Sequence, residues 1–216
     1  MAPSSHVTPI LFHMKTFLSI ALLSLAALSA AGCAGTAKSP AKSYFIDVHE
    51  FGPGKVTAAD VAKAHQADLA HQSKHDVRFV EYWVDEEHGR VYCLSEAKGA
   101  PSIVDAHREA HGLLPDRILP VSSGTAAPEA GGKPMYLDIH DLGAGNVTAR
   151  AVAEAHQKDL EVESEFGVRF INYWVDEVNG KVLCLSEASG PEAVRETHRR
   201  AHGLIPSGIV KVTKGN

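Results

Sequence analysis

Histidine is the residue type whose number and spacing first suggest chemistry in this chain. Thirteen of its 216 residues are histidine. Neutral imidazole is a common ligand of divalent transition metals, and imidazole also exchanges protons near neutral pH. Eight of the histidines form four pairs that recur at one constant interval: His49 with His140, His65 with His156, His107 with His198, and His111 with His202. The residue types therefore indicate metal binding or acid–base catalysis.

His107 and His111, with their counterparts His198 and His202, carry the clearest metal-binding pattern. Four positions separate the members of each pair, so both imidazoles lie on one face of a helix and can reach the same ion. A second interpretation stays open for His111. It falls at the C-terminus of a predicted helix, where a cation is favoured without any metal.

Two further pairs place a histidine near an aspartate. His65 and Asp68 lie on or beside the apolar stripe of a predicted helix, whereas Asp47 and His49 point to the same side of a predicted strand. Such groups cost a few kcal/mol when they are buried without a partner, so they are predicted either to bond each other or to bind a metal. The predicted metal ligands are His49, His65, Asp68, His107, His111, His140, His156, Asp159, His198 and His202.

Other reactive side chains receive plainer interpretations. Cys93 and Cys184 lie within predicted strands and are interpreted as buried apolar residues, with a soft metal ligand, a redox role or a mutual disulfide as alternatives. Glu96 and Glu187 are the carboxylates best placed for catalysis or as extra ligands. The histidines without a counterpart in the second copy are predicted to lie on the surface: His71, His75 and His88.

The chain contains an internal duplication that explains the paired histidines. Residues 44–121 and 135–212 align without a gap, and residues 122–134 between them are rich in Gly, Ala, Ser and Pro, which predicts a flexible linker. Each copy has roughly 80 residues, a size at which a single core is marginal. Each repeat is therefore expected to bury one face against the other.

One repeat shows the strand and helix pattern of a ferredoxin-like domain. Thr57 is a plausible helix N-cap, Pro101 opens a second helix, and Gly112 ends it. The predicted elements are a strand at 44–51, a helix from 57 to about 74, strands at 77–85 and 90–97, a helix at 101–111 and a strand at 118–121. The order βαββαβ predicts an α+β fold with both helices on one face of an antiparallel sheet.

The second strand predicts how the two repeats associate. Strict alternation places Val80, Tyr82 and Val84 on one face, and Phe79 and Trp83 on the other, and neither face is plainly polar. One face packs on the helices, and the other needs a cover. We therefore predict two tandem ferredoxin-like domains packed sheet to sheet, as an intrachain pseudo-dimer that resembles a dimeric α/β barrel. Trp83 and Tyr82, with their counterparts, are predicted to fill the contact between the sheets.

Residues 1–33 are predicted to be an export signal, with the true start at Met14. A basic residue precedes an apolar run at 17–28, which is short for a membrane-spanning helix. The segment ends in a sequence that resembles a bacterial lipoprotein box, although Ala30 stands where Leu is usual. Cys33 would then be lipidated and residues 34–43 would form a tether. The expected location is the periplasm, with a lipid anchor in the outer membrane; a plain signal peptide is the alternative.

Composition and missing motifs exclude several classes of protein. A hydrophobic content of 44% and a charged content of 22% are those of a globular chain. The net charge is −5 and no cluster of Lys and Arg is present, so nucleic acid is not an expected partner. Three cysteines are too few for a disulfide scaffold. The sequence has no P-loop, dinucleotide-binding glycine motif, G-x-S-x-G or H-E-x-x-H, which weighs against an enzyme.

Several short motifs together resemble a small bacterial family of nickel-binding, nickel-responsive proteins with a ferredoxin-like fold, known mainly as a domain of unknown function. The motifs are Asp-Val-His at 47–49, Ala-His-Gln-x-Asp-Leu at 64–69, Trp-Val-Asp at 83–85, Cys-Leu-Ser-Glu-Ala at 93–97 and His-x-x-x-His-Gly at 107–112. The resemblance covers both repeats and implies dimer-like association and nickel as the ion. This chain differs from the family pattern in being a tandem fusion with an export signal.

Three functions remain open from the sequence. The first is a non-catalytic metal-binding protein of the bacterial envelope that uses His and carboxylate ligands. Nickel is favoured by the resemblance, and Zn, Cu or Co suit the same ligands. Metal affinity is then expected to fall below about pH 6.5, where imidazole becomes protonated. The second is an enzyme with a pocket between the sheets, in which Asp47, His49 and Glu96 act as acid–base groups. The third is a lipoprotein that binds a protein partner.

Overall fold

The computed structural model describes residues 41–216. The predicted signal at 1–33, the lipidation site Cys33 and the tether as far as residue 40 lie outside the described residues. Across residues 41–216, no helix combines the length and the apolar character that crossing a bilayer would require.

Each repeat folds in the order βαββαβ, as predicted. In the first repeat the elements are β1 Ser43–Glu50, α1 Ala58–His71, β2 Arg78–Asp85, β3 Arg90–Ala97, α2 Ala100–Ala110 and β4 Arg117–Ser123. In the second they are β5 Met135–Asp141, α3 Ala149–Val162, β6 Arg169–Asp176, β7 Lys181–Glu187, α4 Pro191–Ala201 and β8 Gly208–Gly215. Helix α1 begins at Thr57, whose side chain accepts a hydrogen bond from the Asp60 amide while Asp60 caps the Thr57 amide in return. It ends three residues before the predicted position.

The eight strands close into one antiparallel barrel, in the order β1-β3-β2-β8-β5-β7-β6-β4. The last strand of each repeat joins the other repeat, because β8 pairs with β2 and β4 pairs with β6. The close approach at these seams requires glycine: a Cβ atom on Gly215 or Gly124 would overlap the ring of Tyr82 or Tyr173. The chain is thus a pseudo-dimer whose two sheets are continuous at both edges.

Apolar side chains fill the interior of the barrel. Trp83 and Trp174 are fully buried there, with ring centroids 4.7 Å apart. The strict alternation predicted for β2 is wrong, because a β-bulge interrupts its pairing between Phe79 and Glu81. Phe79 and Tyr82 therefore face the helices, whereas Val80 joins Trp83 inside. Tyr82 is accordingly not part of the contact between the sheets, and the interior formed by residues 41–216 is packed with side chains where the enzyme hypothesis placed a pocket.

The segment between the repeats, predicted to be flexible, is held along β6 by hydrogen bonds. The Gly124 amide donates to the Tyr173 carbonyl at 2.8 Å, and the Ala127 amide donates to the Ile171 carbonyl at 2.6 Å. The buried carboxylate of Glu187 then accepts from two more linker amides, those of residues 130 and 131. The linker is ordered because its backbone groups continue the bonding pattern of the sheet edge.

Candidate metal centre

The paired histidines of each repeat converge between the outer surface of the barrel and the two helices. In β1, Ile46 and Val48 point into the barrel, so the alternate residues Asp47 and His49 point toward the helices. The other polar side chains of this region come from α1, β3 and α2: His65, Asp68, Cys93, His107 and His111. The second repeat places the corresponding residues in the same way: Asp138, His140, His156, Asp159, Cys184, His198 and His202.

Three side chains of the first repeat, Asp68, His107 and His111, form a compact group that we call the first triad. The Oδ1 atom of Asp68 lies 2.9 Å from Nδ1 of His107 and 3.1 Å from Nε2 of His111. The two imidazole nitrogens are 3.2 Å apart. Helix α2 supplies both histidines from successive turns, and α1 brings the aspartate across. All three side chains therefore present one ligand atom to a common point.

The second repeat builds the same group from Asp159, His198 and His202, which we call the second triad. Oδ1 of Asp159 lies 3.0 Å from Nδ1 of His198 and 3.2 Å from Nε2 of His202, and the two nitrogens are 3.3 Å apart. The chain thus forms one set of two histidines and one carboxylate twice, with distances that agree within 0.1 Å. This agreement indicates that the arrangement belongs to the fold of the repeat.

An aspartate on the barrel faces the other nitrogen of the central histidine in each triad. Oδ2 of Asp47 lies 2.5 Å from Nε2 of His107, a short hydrogen bond between fully buried groups. In the second repeat Oδ2 of Asp138 lies 3.4 Å from Nε2 of His198, an ion-pair distance that leaves both atoms without a hydrogen bond among residues 41–216. The central histidine is therefore enclosed by two carboxylates on opposite sides of its ring.

The enclosing carboxylates control the charge of the central histidine. Burial disfavours the imidazolium of His107, but hydrogen bonds with Asp47 and Asp68 outweigh burial and raise the pKa of His107 to about 9. The same balance raises the pKa of His198 to about 10. Burial would raise the pKa of Asp68, yet its bonds to the histidines lower that pKa to about 2. In the metal-free protein at neutral pH, each central histidine is a cation held between two anions.

A looser group adjoins the first triad. Asp47, His49 and Cys93 each offer an atom to a cluster whose atoms all lie within 4.8 Å of one another. Oδ1 of Asp47 and Nδ1 of His49 are buried and find no hydrogen-bond partner among the described residues. Burial raises the pKa of the Cys93 thiol well above its usual value, so this cysteine is protonated and unreactive. Cys93 and Cys184 are both free, each within its own repeat, so the disulfide considered from the sequence is not formed.

His65 and His156 are predicted ligands that the structure places outside the two triads. Their rings pack against Tyr82 and Tyr173, at centroid distances of 4.8 and 4.6 Å. Burial lowers the pKa of both imidazoles, which are therefore neutral at pH 7. Each lines the cavity beside its triad, but neither belongs to a group of convergent ligand atoms within residues 41–216.

The remaining candidates have other partners. Glu96 pairs with Arg78 at 2.6 Å, and Glu187 holds the linker, so neither carboxylate joins a candidate centre as the sequence suggested. The three histidines without counterparts keep to the periphery, as expected: His71 bonds a backbone carbonyl of its own helix, His75 bonds Glu109, and His88 bonds Asp85 in a turn. Asn179 bonds Asp176 at the position equivalent to His88, so that contact serves the turn.

Sequence reasoning missed the central role of Asp47 and Asp138. Their two-residue spacing from His49 and His140 predicted a shared face but gave no indication that this face lies under α2 or α4. Contact with His107 joins positions 60 residues apart. Only the packing of helix on sheet brings these groups together.

Comparisons with known proteins agree with the duplication. A protein family described as "Nickel responsive protein SCO4226-like" matches residues 45–121 and 136–212. Among solved structures, SCO4226 from Streptomyces coelicolor A3(2) is 38% identical over 35% of this chain and 91% of its own, with a TM-score of 0.33. A putative monooxygenase from Lactobacillus acidophilus NCFM is 11% identical, covers 81% of this chain and 94% of its own, and has a TM-score of 0.43. A heme-binding protein from Thermus thermophilus is 9% identical, with 82% and 94% coverage and a TM-score of 0.42. No curated protein matches the sequence.

Proposed function

The chain belongs to the Nickel responsive protein SCO4226-like family, and from this premise we propose that each repeat binds one divalent transition-metal ion, with nickel favoured. The observation that carries the proposal is the pair of matching triads, each with two imidazole nitrogens and one carboxylate oxygen in mutual contact. Family membership favours nickel. The ligand set itself also suits Co, Zn and Cu, so the choice of ion rests on the family.

The spacing within each triad fits a single ion. Metal–ligand bonds of about 2.0–2.1 Å place two ligand atoms about 2.9 Å apart at a right angle and about 3.4 Å apart at a tetrahedral angle. The distances within the triads run from 2.9 to 3.3 Å. The buried atoms left without partners, such as Nε2 of His198 and the oxygens of Asp138, mark a region built for more positive charge than the protein itself supplies.

We assign the three atoms of each triad as the metal ligands. The Asp47 and Asp138 carboxylates then orient the central histidines from the opposite ring nitrogen, as outer carboxylates commonly do for metal-bound imidazole. His49 and His65, with their counterparts His140 and His156, are proposed to line the site. A bound ion would supply positive charge and ligand-exchange positions. The protein residues hold the ion, fix the rings and shield them from solvent.

Isothermal titration of the purified protein with Ni²⁺ tests the proposal. The expected stoichiometry is two ions per chain. The double variants His107→Ala/His111→Ala and His198→Ala/His202→Ala should each bind one ion, while their circular dichroism shows that the barrel is intact. A matched control is His71→Ala/His75→Ala, which removes two surface histidines four residues apart and should still bind two ions. Absence of binding at micromolar Ni²⁺, or two ions bound by all variants, would contradict the proposal.

We further propose that the protein acts in the periplasm, anchored by a lipid on Cys33. The proposal rests on the apolar run and lipoprotein-like box within residues 14–33. In a bacterial host, metabolic labelling with a fatty acid should mark the full chain and not the variant Cys33→Ala. Equal labelling of both proteins, or none in either, would refute the lipid anchor.

A further inference from the structure

The two triads differ in the space beside them. The cavity next to the first triad has a volume of about 290 Å³, whereas the one next to the second triad has about 120 Å³. An apolar cavity of about 150 Å³ holds one benzene molecule. The first cavity therefore has room for a molecule of about two rings, and the second is too small for one.

The walls of the first cavity are mainly apolar. Val56, Val61 and Ala64 line one side, from the start of α1, and Val91 lines the other, from β3. The polar groups among the lining residues include all three members of the triad. A cavity with apolar walls and a few convergent polar groups is the usual form of a small-molecule site.

The lining of the two cavities differs at three paired positions. Phe51, Lys55 and Asp60 line the first cavity, where the second repeat has Leu142, Asn146 and Ala151. The side chain of Asn146 is fixed by donation to the Leu142 carbonyl at 2.9 Å. The triads are alike while the cavity walls have diverged, which separates metal binding from the property that distinguishes the repeats.

We propose that the first repeat, and not the second, binds a small organic molecule that has an apolar body of one or two rings and a single nitrogen or oxygen donor for the metal ion. This inference rests on the proposed metal site. Three protein ligands leave at least one position on a divalent ion open to a further ligand. The cavity wall supplies the apolar contact for the rest of the molecule, at about 25 cal/mol per Å² of buried surface.

Nickel-loaded variants with a single site test the inference with 4-phenylimidazole as the probe and imidazole as its reference. The variant His198→Ala/His202→Ala retains the first site, and His107→Ala/His111→Ala retains the second. Nickel absorption bands report ligand exchange in each titration. Corrected for the preference of free Ni²⁺, the first site should bind 4-phenylimidazole at least tenfold more tightly than imidazole, and the second should show no such gain.

Equal preference at the two sites, or none at the first, would overturn the inference while leaving the proposed metal binding intact. Failure of the variants to take up nickel would appear earlier, as missing absorption bands, and would overturn both. A filled cavity gives an independent check. Ala64→Leu should abolish the gain for 4-phenylimidazole and still bind two nickel ions in the otherwise unchanged chain, and Ala155→Leu in the second repeat is the matched control. Persistence of the gain in Ala64→Leu would refute the cavity as the binding site.

Discussion

Nickel binding should release about one proton per ion at pH 7.5, because the central histidine of each triad is an imidazolium before metal enters. The ion needs Nδ1 of His107, which carries a proton directed at Asp68, whereas Nε2 keeps its proton for Asp47. With a pKa of about 9, His107 is about 97% protonated at pH 7.5. Competition from this proton weakens apparent affinity about 30-fold relative to high pH.

The sign follows from which state holds the proton. The metal-free protein binds it, so lowering the pH favours the metal-free form. Apparent affinity of the first site should rise about tenfold per pH unit from pH 6.5 toward 9, and that of the second should keep rising toward 10, the pKa of His198. This revises the expectation from the sequence, in which affinity was to fall only below about pH 6.5.

Titration in buffers of different ionisation enthalpy measures the number of protons released. Asp47→Asn removes one of the carboxylates that stabilise the imidazolium, so proton release at the first site should fall well below one while the second site is unchanged. The second site thus serves as an internal control. A proton number near zero at pH 7.5 in the unmodified protein, or an affinity that is flat above pH 6.5, would refute the reasoning.

Two other predictions concern stability. The raised pKa of His107 contributes stability to the metal-free protein that is complete below about pH 6.5 and lost as the pH rises through about 9, so urea denaturation should give a free energy of unfolding lower by a few kcal/mol at pH 10 than at pH 6.5, and a pH-independent value would count against the buried imidazolium. Trp83→Ala should cost about 3–5 kcal/mol in the same assay, because it empties the centre of the barrel opposite Trp174; a loss under about 1 kcal/mol would show that this centre is not tightly packed.

Much of the fold could be predicted from the sequence because its signals are local. The N-cap at Thr57, the break at Gly112 and the strand-like composition of β2 each act over a few residues, and the duplication confirmed the pattern by repeating it. Closure of the barrel has no local signal. Pairing of β4 with β6 joins Ser123 to Trp174, and the exchange of edges depends on how two complete repeats meet.

The errors have equally specific causes. A β-bulge adds one residue to β2, and a prediction that assumes strict alternation assigns Phe79 and Val80 to the wrong faces. His65 and Asp68 were predicted as a pair because they are neighbours on α1. In the folded protein Asp68 bonds α2, and His65 packs on Tyr82. Helical spacing predicts which side chains are buried, but it does not identify their partners.

Anomalous diffraction from crystals of the nickel-loaded protein, recorded on both sides of the nickel absorption edge, tests the central claim most directly. The account predicts one strong peak in each repeat, within bonding distance of three atoms: the Asp68 carboxylate, His107 Nδ1 and His111 Nε2 in the first, and the matching atoms of Asp159, His198 and His202 in the second. Peaks only at surface histidines such as His75, or no peak at either triad, would contradict it.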